Sequence, residues 1–170
     1  MQPDSNIFKT YKLVLIMKKI IKALISFILL SIVIVAVSFY FIFDKVFIGP
    51  VFLGLGFITL FALRFFKIEI KTIYPDFIFG FIDNGVLVFA AVWGGQIAGI
   101  VGAVIGGAVG NTVTDGIGGL FEGHIAEHQR KYKIDSYRTP LSTSLGKMAG
   151  CLFGAGVGLI SIWLFSFIQN

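Results

Sequence analysis

Asp83, Asn84, Asn111 and Asp115 are oxygen-bearing side chains inside segments made mostly of Gly, Ala, Val, Ile and Phe. Asp83 lies seven residues after Asp76, and Asp115 lies seven before Glu122. Seven residues make two helical turns, about 10 Å, and return to nearly the same helix face. If the two segments run antiparallel from a shared inner end, Asp83 and Asp115 come to one depth on neighbouring helices. A carboxylate in hydrocarbon costs at least about 2.5–3.5 kcal/mol, so such groups face a cavity, a partner or an ion. Two of them at one level repel unless a cation or a proton lies between them. Oxygen-only ligands from Asp83, Asn84, Asn111 and Asp115, with Thr112 and Thr114 nearby, suit a hard divalent cation, a monovalent cation or protons. The same residues have a second reading, in which protonated or hydrogen-bonded aspartates lock helices together.

Asp76 and Glu122 would then form the inner mouth of a pathway, with His124, Glu127 and His128 on the adjoining surface. His124 to His128 also matches H-x-x-E-H, a zinc-protease pattern with two histidines on one helix face. A protease needs a further ligand well downstream, and Asp135 is the one carboxylate residue after His128. The expectations are metal capture at the pathway entrance by Glu122, His124, Glu127 and His128, or a solvated helix end whose Arg130, Lys131 and Lys133 meet anionic lipid heads; along the pathway itself the candidate metal ligands are Asp83, Asp115 and Glu122. GNTVTDG has no phosphate-loop lysine. No nucleophile stands at a workable spacing from a base, so no enzyme is expected.

These residues need helices to hold them, and the composition dictates which kind. The chain has 170 residues, 56% hydrophobic and 14% charged, against roughly a quarter charged in soluble domains. An all-α, polytopic integral membrane protein follows. The net charge of +5 reads as membrane orientation, not as a nucleic-acid surface. Apolar runs predict about five transmembrane helices at 21–43, 48–65, 77–93, 97–121 and 145–168, a single transmembrane domain over 21–170. Residues 1–20 form an N-terminal cytoplasmic segment. Met17 before Lys18 and Lys19 looks like a natural start, leaving 1–16 as an upstream extension or interfacial stretch. Pro75 marks the boundary before the third run. Gly94, Gly95 and Gln96 are the break before the fourth, making runs three and four a tight Gly-rich hairpin.

Orientation follows from the 14 basic residues. With the N-terminus inside and the C-terminus outside, all but Lys45 fall on the inner side, as the positive-inside rule requires. A cytoplasmic membrane is the simplest location. Cys151 is the single cysteine, so no intrachain disulfide forms.

Glycines recur at four-residue spacing, as Gly95 and Gly99, then Gly102, Gly106 and Gly110, and again as Gly146, Gly150, Gly154 and Gly158. This small-xxx-small pattern lets helix backbones approach closely. The last stripe should meet the fourth run or its symmetry mate, and it fits a homo-oligomer and intrachain packing equally well.

The G-x-x-D-N-G of Gly80 to Gly85, with the later Gly, Asn, Asp and Glu122 positions ahead of a polar inner loop, resembles the vacuolar iron transporter-like family. The resemblance covers one hairpin and implies metal handling there. The carboxylate-rich cytoplasmic helices by which that family holds metal have no counterpart in this chain. The leading functional expectation is a cation transporter or channel centred on Asp83 and Asp115. The alternative is a noncatalytic scaffold or assembly subunit packed through small-residue helix faces.

Overall fold

The computed structural model describes residues 5–41, 43 and 44, 46–132 and 139–169, with the side chains of 5–10, 12, 19, 119, 122, 126, 129, 168 and 169 outside that description. All regular structure among these residues is helical: α1 (Ser5–Phe41), α2 (Ile48–Phe65), α3 (Ile70–Lys131) and α4 (Pro140–Gln169). Each of the four is long and apolar enough to cross a membrane.

Local chemistry sets the ends. Pro50 falls in the first turn of α2, where its missing N–H deprives no helical carbonyl. At the other end, Ile68 N donates to Leu63 O at 3.0 Å and Lys67 N to Arg64 O at 3.1 Å. That is a Schellman closure, with Lys67 at φ 53 in the left-handed position glycine usually takes. α4 opens with Pro140 at its first position, behind a reciprocal cap. Ser142 N donates to Thr139 Oγ1 at 3.1 Å, and Thr139 N donates to Ser142 Oγ at 2.8 Å.

Pro75 is not a boundary. α3 begins at Ile70 and continues through it; Pro75 lies just past the first turn and gives up the single bond its N–H would make to Lys71 O.

The break within α3 lies at Ala98 (φ −137°, ψ 27°) and Gly99 (φ 61°, ψ −141°), not at Gly94–Gln96. Gly99's combination is one that only glycine adopts readily. Gly94 and Gly95 are instead used in packing. A Cβ on Gly94 would run into the Gly102 carbonyl, and one on Gly95 would meet Ala103 Cβ at 3.4 Å. Farther along, Gly106 packs on Ala90, Gly110 on Ala90 and Leu87, and Gly118 on Phe79. The second arm (100–131) therefore runs back along the first (70–97).

α4 is the common partner of the other three helices. Its Gly150 lies on the Phe77 carbonyl, Gly154 on Phe81 and Gly85, and Gly158 on Val88, so this stripe packs on the first arm of α3, not on the second. The opposite side of α4 packs on α2, where Gly49 and Gly156 abut. Leu63, Ile73 and Leu145 form the best-buried apolar cluster, joining α2, α3 and α4. Aliphatic and aromatic side chains cover most of the outward surface, among them Ile100, Val104, Leu120 and Phe167.

Candidate functional site

A long-range polar contact joins the two arms of α3. Thr114 Oγ1 lies 2.5 Å from Asp83 Oδ1. The same hydroxyl is 3.0 Å from Gly110 O and 3.1 Å from Asn111 O. A hydroxyl carries one proton, and hydroxyl-to-carboxylate bonds run about 2.5–2.7 Å, so the aspartate is the favoured acceptor. Thr114 is buried, and it reaches Asp83 because close contacts such as Gly110 against Ala90 bring the arms together. Asp83 Oδ2 has no hydrogen-bond partner among the described residues.

Asp83 and Asp115 do not face each other. The residue opposite Asp83 is Thr114, and the next residue points about 100° further round the helix. Asp115 is exposed on the second arm, where its Oδ2 accepts from Asn111 Nδ2 at 2.9 Å. Asn111 and Asp115 thus pair with each other, while Thr112 bonds its own Ala108 carbonyl at 2.9 Å. Asn84 turns the other way and donates to Cys151 O on α4 at 3.3 Å. The four expected ligands are therefore split into three separate places at similar depth.

Asp76 does not open onto an inner mouth either. It is fully buried between α3 and α4, with its Cβ 3.1 Å from the position a Gly146 side chain would take. The side chain of Glu122 lies outside the described residues. His124, Glu127 and His128 are exposed, and the His128 ring packs on Tyr132 with centroids 4.6 Å apart. Among the described residues no three His, Cys, Asp or Glu side chains converge as a metal site would require. Asp83 stands on the first arm and bonds Thr114, whereas Asp115 is exposed on the second arm and bonds Asn111, so the two carboxylates do not meet at one site.

Of the packing glycines, Gly95, Gly102, Gly106, Gly110, Gly150 and Gly154 all meet a neighbour within the chain. Gly99 meets nothing within 4 Å. It is the turn glycine, and a positive φ removes it from any helix face.

Sequence reasoning missed a groove of about 300 Å³ between the two arms. Phe79, Ile82, Ile117 and Phe121 line it, with Asp83 and Thr114 in its wall. On the α4 side, the Lys147 ammonium sits 4.5 Å from the Phe79 ring centroid, outside the groove lining. The sequence signal was present in the threonine adjoining Asp115 and the glycine (Gly118) opposite Phe79, but only the register of the arms gives it meaning.

No protein-family model, curated protein or solved structure matches the chain. The likeness of the Gly80–Glu122 segment to the vacuolar iron transporter-like family thus rests on those residues alone.

Proposed function

We propose that this is a multi-pass membrane protein that moves or senses a cation, with Asp83 as the carboxylate that meets it. The observation that carries the reading is the half-used carboxylate: Oδ1 held by Thr114 across the arms, Oδ2 without a partner among the described residues. Hydrocarbon tolerates such a group where a cation or proton completes it.

In this reading the chain crosses the bilayer five times, N-terminus inside and C-terminus outside, in a cytoplasmic membrane. α3 supplies two of the crossings as a Gly-rich hairpin. A straight helix of its 62 residues would be roughly 93 Å long, about three times the hydrocarbon thickness, and the Ala98–Gly99 break divides it into two lengths that fit. Asp115, bonded to Asn111 on the outer face of the second arm, is a second polar station at similar depth.

The test is ion-dependent thermal stabilisation of the purified protein across Mg²⁺, Mn²⁺, Fe²⁺, Ca²⁺, Zn²⁺, Na⁺ and pH, beside Asp83→Asn and Asp115→Asn. An ion at 100 times its dissociation constant adds about 2.7 kcal/mol. Stabilisation lost in Asp83→Asn is the expected result; a protein indifferent to every ion and to pH would remove the cation role.

One observation favours a second reading, an assembly subunit. Ala108, Thr112 and Gly116 recur at four-residue spacing on an exposed face of the second arm, and nothing lies within 4 Å of Gly116. That is a small-residue face left exposed by the described residues, suited to a second copy or another membrane helix.

A further inference from the structure

We propose that the groove between the arms of α3 binds a lipophilic organic cation, an amine or quaternary ammonium whose charge meets Asp83 and whose apolar body lies along Ile117 and Phe121. This rests on the cation-handling reading above and narrows its substrate class.

The wall chemistry separates organic from inorganic cations. Ca²⁺ takes six to eight oxygen ligands and Mg²⁺ takes six. Asp83 and Thr114 are the polar side chains of this groove, and hydrocarbon forms nearly all the rest. An organic cation brings its own apolar shell and spreads its charge, so it needs one carboxylate and an aromatic face, not a cage. Asp83 Oδ2 is the oxygen left for it, since Thr114 occupies Oδ1. Phe79 is already engaged by Lys147 on the α4 side, which leaves Phe121 as the ring for the ligand.

Size and access agree. About 300 Å³ is at the lower end of small-molecule pockets, enough for a compact aryl or alkyl ammonium. Ile82 and Ile117 are each 47% exposed and Phe121 60%, so the groove opens sideways toward the surface that lipid covers. A molecule dissolved in the membrane enters without crossing water. The competing occupant is a lipid acyl chain, which would fill the same apolar space and ignore Asp83.

The deciding experiment measures saturable binding of radiolabelled benzyltrimethylammonium to the full chain by scintillation proximity, with unlabelled neopentylbenzene as a competitor of the same shape and no charge. The expected results are saturable binding, displacement by the neutral isostere at least about tenfold weaker, a loss of about tenfold or more in Asp83→Asn, and retention in Asp83→Glu. Ile117→Trp fills the groove from an exposed position with Asp83 intact, and it should abolish binding even if Asp83→Asn fails to fold. Absence of saturable binding, equal competition by neopentylbenzene, or binding that survives both Asp83→Asn and Ile117→Trp overturns the proposal and leaves the groove a seat for lipid. If inorganic ions stabilise the protein through Asp83 while benzyltrimethylammonium does not bind, the substrate class is wrong and the cation role stands. Failure of both assays removes both.

Discussion

Thr114 donates its hydroxyl to Asp83 across the two arms of α3 at 2.5 Å, although the residues are 31 positions apart in sequence. They lie equally far from the Ala98–Gly99 break, so the turn sets the register that brings them together. Moving the turn by one residue would put a different side chain opposite Asp83.

This contact can be weighed by a double-mutant cycle on Asp83→Asn and Thr114→Val. Polar contacts between membrane helices average about 0.6 kcal/mol in such cycles and reach about 1.7. The expected coupling is in that range, read from reversible unfolding in mixed micelles. A coupling of zero would mean that this contact adds nothing to the packing of the arms.

Gly99→Val should destabilise the protein by about 1–3 kcal/mol through backbone strain at its positive φ, although no neighbour lies within 4 Å of it. Gly99→Ala should lose nearly as much, because one Cβ already brings the strain at this φ and ψ. A loss that rose steeply from Ala to Val would point to a clash and not to backbone conformation.

Gly154→Ala places a methyl against the Phe81 carbonyl and should cost about 1–3 kcal/mol as α4 is pushed from α3. Gly116→Leu meets open space and should leave the stability of a single chain within about 0.5 kcal/mol. Chemical crosslinking of Gly116→Leu in native membranes separates the two readings of function: loss of a crosslinked species supports assembly through the second arm, and an unchanged pattern argues against it.

The five-crossing reading is checked with single cysteines in a Cys151→Ser background. Gln96→Cys, near the break in α3, should react with an impermeant maleimide from outside intact cells. Tyr132→Cys, just past the end of α3, should react only after permeabilisation. The reverse pattern would invert the topology.

The helices were legible because apolar length is a strong signal and does not depend on register. Ile48–Phe65 has the same bounds in sequence and structure. The starts of α1, α3 and α4 lie earlier than hydropathy indicates, in α4 because Thr139, Pro140 and Ser142 form a cap within a polar connector. The site was only half legible. Counting inward from Asp76 and Glu122 brings Asp83 and Asp115 to one depth, but depth fixes height and not azimuth. A single residue of register swings a side chain about 100°, enough to put Thr114 in the groove and Asp115 outside it. The turn that decides this register is one of several glycine-containing stretches, and composition alone cannot choose among them.

The helix against which α1, α2 and α3 all pack, α4, is made after the other three. Until α4 leaves the ribosome, Gly85 and the Phe77 and Phe81 carbonyls have no Gly150 or Gly154 to close upon, and α2 lacks its main partner. Insertion can proceed helix by helix, but assembly of the four must wait for α4. Before then the two arms of α3 can close on each other through Gly94, Gly102 and Gly106, while α1 and α2 lack the partner that joins them to α3.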